Sequence, residues 1–266
     1  MTVPRLQLIG GGKMGEALLA GLLARGWAGV EDMRVVEPQA ERQAELTERV
    51  PGLVVAEEPS VADGHVIAVK PGVVVDVCRG LAAAGSRTPV LSIAAGIPIA
   101  RLEAALAPDT PVVRAMPNTP ALVGEGAAAI AAGSCAGEDE VAWAESILGA
   151  VGTVERVPES LLDAVTGLSG SGPAYVFLVA EALVDAGVLA GLPRPAARTL
   201  AIQTLVGAAA MLRDGEKEAA ALRADVTSPG GTTAAGLREL ERHGVRAAFL
   251  DAVVAATERS RALGQA

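Results

Sequence analysis

At 266 residues the chain exceeds the usual single-domain size of about 100 to 150, so one large domain or two modest ones are expected. Hydrophobic residues at 51% against 20% charged exclude a disordered chain, because that much apolar surface offsets the entropy of ordering the backbone. A net charge of −9, with two Phe, two Trp and one Tyr, excludes a nucleic-acid partner, which calls for a concentrated positive surface and rings for base stacking.

The first half alternates short apolar runs with helical patterns. Leu6 to Ile9, Met33 to Val36, His65 to Val69, Pro89 to Ile93 and Val112 to Ala115 read as buried strands, each bounded by turn residues. Between them lie helix candidates at Lys13 to Arg25, Gln39 to Arg49, Val73 to Ala84 and Ile99 to Leu106. This βαβα rhythm predicts an α/β fold, a doubly wound parallel sheet of Rossmann type. Gly126 to Ala132, Glu138 to Leu148 and Gly152 to Val157 extend it as a further strand, helix and strand.

Beyond Pro158 the pattern changes to apolar-periodic helices, with no strand in view. They are Gly172 to Ala190, Pro195 to Arg213, Lys217 to Ala224, Thr232 to Arg242 and Val245 to Leu263. The expected division is therefore a dinucleotide-binding domain over 1–158 and an all-helical domain over 159–266. Helix Pro195 to Arg213 is apolar on nearly every face, through Leu200, Ala201, Ile202, Leu205, Val206, Ala208 and Met211. Such a helix is normally buried, and a domain of this size has little room to bury it alone, so a second subunit is inferred to cover it. The longest uncharged stretch, Ala164 to Ala180, is interrupted by Gly167, Gly170, Gly172 and Pro173 and falls short of the roughly 20 apolar residues that cross a bilayer, so no membrane span is expected. Cys78 and Cys135 are the only cysteines and form neither a disulfide framework nor a zinc pattern. With no secretory signal at the N-terminus, a cytoplasmic location is expected.

Gly10-Gly11-Gly12-Lys13-Met14-Gly15 is a GxGxxG between a predicted strand and a predicted helix, the setting that places a pyrophosphate at a helix N-terminus. The alternative is a plain glycine turn. Glu37 closes the second strand, 22 positions after Gly15. A carboxylate there accepts hydrogen bonds from the adenosine ribose hydroxyls and repels a 2′-phosphate, which favours NADH over NADPH. Arg42, one turn into the next helix, points the other way because it can reach such a phosphate. Val69-Lys70-Pro71, Ala94-Ala95-Gly96 and Met116-Pro117-Asn118-Thr119-Pro120 stand at strand exits, where a doubly wound sheet meets its ligand. Lys70 is one of three lysines against nineteen arginines. Met116 and Asn118 either line the nicotinamide site or stiffen a turn.

In the helical half, Val226-Thr227-Ser228-Pro229-Gly230-Gly231-Thr232-Thr233 feeds directly into a helix. Free amides of Gly230, Gly231, Thr232 and Thr233 would form a carboxylate or phosphate site, with the hydroxyls of Ser228, Thr232 and Thr233 beside them. Ordinary capping is the competing explanation.

With these residues in view the sequence resembles the pyrroline-5-carboxylate reductase family. The likeness rests on Ile9 to Gly15, Ala68 to Pro71, Ser92 to Gly96, Arg114 to Pro120, Asp163 to Tyr175 (DAVTGLSGSGPAY) and Leu222 to Thr233 (LRADVTSPGGTT). The resemblance implies reduction of L-1-pyrroline-5-carboxylate to L-proline with NADPH or NADH. It also implies a C-terminal helical domain that interlocks into a homodimer, and a decamer of five such dimers. Dinucleotide contacts then fall on Ile9, Gly10, Gly11, Gly12, Lys13, Met14, Val69, Lys70 and Ala95. Substrate contacts fall on Glu159, Val226 and Ser228 to Thr233, with Thr233 on the ring nitrogen. Two departures bear on cofactor choice: Glu37 stands where NADPH-preferring members carry Ser, Asn or Arg, and Ala56 with Glu57 replaces an adenosine-contacting Asn.

The chemistry agrees with the residues present. Hydroxyacid dehydrogenases of similar plan carry a catalytic Lys where this chain has Tyr175, because an alcohol needs a group to move its proton. A cyclic imine can arrive already protonated. His65, at the start of the third predicted strand, and His243, at a helix end, are not placed for catalysis. A reductase of six-membered imino acids and a non-catalytic NAD(P)H-binding protein are the competing readings.

Overall fold

In the computed structural model, which describes residues 3–264, eight strands join in one sheet. They are β1 (Leu6–Ile9), β2 (Met33–Val36), β3 (Val54–Ala56), β4 (His65–Ile67), β5 (Val90–Ser92), β6 (Val112–Met116), β7 (Gly126–Ala132) and β8 (Gly152–Arg156). Their order across the sheet is β3-β2-β1-β4-β5-β6-β7-β8. Every pair from β3 to β6 is parallel, β7 runs antiparallel to β6, and β8 is parallel to β7.

Successive residues of each central strand point to opposite faces, and both faces are covered. Leu8, Val35, Val66, Leu91 and Val113 enter one core with Leu18, Leu19 and Leu22 of α1 (Lys13–Ala24) and Val141, Ile147 and Leu148 of α5 (Glu138–Leu148). Their neighbours Ile9, Val36, Ile67, Val90 and Val112 enter a second core with Val74, Cys78 and Leu81 of α3 (Val74–Ala83) and Ile99 and Leu102 of α4 (Ile99–Glu103). Burial on both faces is why these strands read as unbroken apolar runs. Strand β3 was not anticipated. It has three residues, lies at the sheet edge and exposes Val54, so it carries no such run. It follows α2 (Ala40–Arg49).

The chain divides into two compact units, one built from the chain up to Ser171 and from Ala255 onward, the other from Gly172–Val254. The division expected at 158/159 marks where strands stop, but packing continues past it. Leu162 of α6 (Leu162–Val165) is buried in the second core, and Ser260 Oγ donates to Asp163 Oδ1 at 2.6 Å. After α6 the backbone widens into a π turn, Thr166–Gly170, closed by Ser171 N donating to Thr166 O at 2.8 Å.

The second unit contains α7 (Gly172–Leu189), α8 (Arg194–Asp214), α9 (Ala219–Asp225), α10 (Thr232–Arg242) and the first part of α11 (Val245–Gly264). Its own buried apolar cluster is Val184, Ala197 and Ala201, while Phe177, Leu178, Leu189, Leu200, Val206 and Leu250 are exposed. The helical run Glu159–Leu189 is 31 residues and, by length and composition alone, apolar enough to cross a membrane. The uncharged stretch Ala164 to Ala180 lies within this run, which carries on past Glu181.

His65 opens β4 fully buried. Thr88 Oγ1 donates to Ala62 O at 2.9 Å, so it accepts from Ser86 Oγ at 3.1 Å, and Ser86 in turn accepts from His65 Nε2 at 2.9 Å. The ring proton therefore sits on Nε2, and Nδ1 is buried with no partner. Protonating Nδ1 would bury an uncompensated charge, and burial pushes the histidine down from 6.5 to about 4. Between those values the unfolded chain binds a proton that the folded chain does not, so stability falls as pH drops through this window and is intact above it. At about 1.4 kcal/mol per pKa unit the loss is roughly 3 kcal/mol. Urea unfolding at pH 7 and pH 4.5 is expected to show most of that loss in the wild type and a much smaller one in His65→Gln.

Candidate active site

Between the end of β1 at Ile9 and the start of α1 at Lys13 the chain makes the tight turn that the glycine pattern predicted. Gly10 takes φ +112° and donates its N–H to Val36 O at 2.9 Å. Any side chain on Gly15 would place its Cβ 2.1 Å from Gly10 O, so only glycine lets α1 press against the turn. A Cβ at Gly12 would meet nothing within 4 Å. The loop thus has a tightly packed inner side and an open outer side, with the unpaired first amides of α1 at its end. Lys13 is exposed and Met14 half-buried. This lies where β1 neighbours both β2 and β4, the switch point at which a doubly wound sheet binds a dinucleotide. The arrangement fits a pyrophosphate, and the plain-turn explanation leaves the open outer side without a purpose.

Glu37 follows β2 and is buried, not solvated. Its Oε2 accepts from Gly11 N at 3.1 Å and its Oε1 from Gln39 N at 3.0 Å. Each oxygen retains a lone pair for a ribose hydroxyl. Arg42 holds the carbonyl of the same residue, donating from Nε to Gly11 O at 2.7 Å. Its remaining nitrogens pair with Glu16 and Glu45. The hydrogen bond from Arg42, opposed by burial and reinforced by Arg49, holds the Glu16 carboxyl below the ordinary carboxylate range.

The other strand exits bring further residues to the same edge of the sheet. Val69 is half-buried against the second core, and Lys70 is exposed just before Pro71. Ala95 and Gly96 line a cavity of about 380 Å³ together with Pro71, Thr166, Ser171 and Arg259. Arg259 escaped the sequence reading because nothing in its local pattern separates it from a surface arginine. Only the return of α11 to this unit sets it beside Gly96.

Three predicted residues prove to be holding structure. Asn118 accepts from Ala127 N at 2.8 Å and donates to Ser169 O at 3.1 Å, a carbonyl in the π turn. Met116 packs against the second core, and its Cε lies 2.7 Å from where a Cβ on Gly170 would be. Glu159 Oε1 accepts from Ile99 N at 2.7 Å and from Arg114 Nη1 at 2.9 Å, fastening the start of α4 to β6. Its carboxylate is engaged within the sheet-bearing unit.

In the helical unit, Val226 ends α9 and is exposed. Ser228 O accepts from Gly231 N at 3.0 Å across Pro229 and Gly230, and Gly230 takes φ +71°. Proline followed by a left-handed glycine is the signature of a type II turn. The turn consumes the Gly231 amide, which corrects the expectation that it stays free. The amides of Gly230, Thr232 and Thr233 have no acceptor among the described residues. They converge at the start of α10, where the helix dipole favours an anion, and no capping side chain occupies them. Among the described residues no cluster of His, Cys, Asp and Glu is suited to a metal.

Comparison with known proteins matches two parts of the chain to different profiles. Residues 159–263 match the family profile described as pyrroline-5-carboxylate reductase dimerisation, and residues 5–96 match one described as NADP oxidoreductase coenzyme F420-dependent. A pyrroline-5-carboxylate reductase of Synechocystis is 47% identical over 264 residues, covering 98% of both chains. One from Arabidopsis thaliana is 42% identical, covering 98% of this chain and 96% of its own. The structure of the Coxiella burnetii enzyme superposes with a TM-score of 0.93 at 35% identity over 98% of this chain and 99% of the other. The Plasmodium falciparum pyrroline carboxylate reductase, solved with NADP bound, does so at 0.85 and 31%, over 98% of each chain. The chain therefore belongs to the pyrroline-5-carboxylate reductase family.

Proposed function

We propose that this protein reduces L-1-pyrroline-5-carboxylate to L-proline with a nicotinamide dinucleotide, as a homodimer joined through its helical unit. The observation that carries this reading is the start of α10, where the Ser228–Gly231 turn leaves the amides of Thr232 and Thr233 unpaired beside their own hydroxyls. Those amides suit the carboxylate of a small imino acid, and the Thr233 hydroxyl suits its ring nitrogen. When bound, the dinucleotide supplies the hydride. The protein's contribution is placement. An imine that enters protonated needs no side-chain acid, and neither histidine offers one: His65 is buried at a strand start, and His243 ends α10.

The apolar surface left on α7, α8 and α11 supports the dimer, since the unit buries so little by itself. A decamer of five dimers is the assembly the family resemblance extends to, and sedimentation at micromolar concentration is expected to give a ten-chain particle with no monomer. Two unpaired thiols, Cys78 buried and Cys135 exposed, accord with the reducing cytoplasm. We further assign a preference for NADH. The Glu37 carboxylate is held by Gly11 and Gln39 at the end of β2, where a ribose 2′-phosphate would meet its charge.

Thr233→Ala is expected to lower kcat/KM by about tenfold or more while dinucleotide affinity is unchanged; wild-type kinetics would remove the threonine from the reaction. Turnover of the six-membered imino acid equal to that of the five-membered one would redirect the substrate assignment. Measured with pyrroline-5-carboxylate, kcat/KM is expected to be higher for NADH than for NADPH, and Glu37→Ser to narrow the gap.

A further inference from the structure

Gly11 is gripped from both sides, its N–H by Glu37 and its carbonyl by Arg42. The backbone of a single residue therefore links the Arg42 guanidinium to the Glu37 carboxylate, which puts an arginine near the position a ribose 2′-phosphate would take. An arginine so placed ordinarily accommodates that phosphate. Here each of its three nitrogens is already engaged, with one N–H left on each terminal nitrogen. Nε goes to Gly11 O, one terminal nitrogen to Glu16 and the other to Glu45. The Arg42 side chain is 18% exposed and that of Glu16 25%, whereas Glu45 is 55% exposed, so the pair with Glu16 is the better shielded from solvent. Arg49 holds the second oxygen of Glu16 and fixes the carboxylate in place.

We infer that the Glu16–Arg42 ion pair is a second determinant of dinucleotide choice. Glu16 keeps Arg42 bound to the glycine loop, so a 2′-phosphate meets the Glu37 charge with that arginine held in another pairing. The inference rests on the reading of Glu37 as the ribose ligand and adds to it a residue on a different helix, outside the strand-end position that the GxGxxG pattern identifies. It also explains how an arginine five positions beyond Glu37 coexists with a site built for the unphosphorylated ribose.

Calorimetric binding of AMP and of adenosine 2′,5′-bisphosphate to the full-length protein separates the two claims without using turnover. Glu37→Ser alone is expected to improve bisphosphate affinity relative to AMP by a few-fold, because Arg42 stays engaged. Adding Glu16→Gln is expected to raise that ratio at least about tenfold further, the yield of one new hydrogen bond between charged groups. Adding Arg42→Ala to the double variant is expected to abolish the second gain. An unchanged ratio in Glu37→Ser overturns the reading of Glu37. A gain from Glu37→Ser with none from Glu16→Gln, or a second gain that survives Arg42→Ala, leaves that reading standing and overturns the role of the ion pair. Loss of AMP binding in Glu16→Gln does so too, since Glu16 would then shape the loop and not the choice.

Discussion

The nucleotide crevice exists because β1 pairs in parallel with β2 on one side and β4 on the other. The connections leaving the carboxyl ends of β1 and β4 diverge, one crossing each face of the sheet, and the space between them is closed only by the glycine loop. Everything on the nucleotide side is hung from that arrangement. Gly15 lets α1 pack against the carbonyl of Gly10, which aims the helix N-terminus along the crevice, and Val36 O receives the Gly10 amide so that the turn and β2 move as one piece.

Most charged and amide side chains near the sheet edge work on backbone. Glu37 and Arg42 hold the two polar groups of Gly11, Glu159 holds the amide of Ile99, and Asn118 bridges Ala127 and Ser169. Loops that turn sharply cannot pair their own N–H and C=O groups, and a buried group left unpaired is costly, so side chains supply the partners. The result is a site stiffened in advance. That suits a reaction in which the protein has to place two reactants and little proton transfer is asked of it.

The helical unit meets the opposite condition. Its buried apolar cluster is small and its helices show large apolar side chains to the outside, a surface that folding of one chain does not remove from water. The profile that residues 159–263 match is described as dimerisation, which accords with a surface of this kind. The loop before α10 is nonetheless a local construction, set by Pro229, the left-handed Gly230 and the first turn of α10.

Strand and helix alternation, the GxGxxG loop, the helical second half and the glycine-containing loop before α10 were legible in the sequence because each depends on neighbours within a few positions: apolar period and glycine freedom. The edge strand β3 was not, since three half-exposed residues carry no pattern. Nor was the burial of Leu162 with the first unit, the π turn, or Arg259 beside Gly96, which arise from contacts between distant segments. Position along the chain marked Glu37, Asn118 and Arg42 as candidates and the family resemblance marked Glu159, but whether each faces a ligand or a backbone amide was decided by tertiary structure. A polar side chain in a folded interior goes to whichever unpaired group the surrounding loops leave within reach, and only the assembled loops determine which group that is.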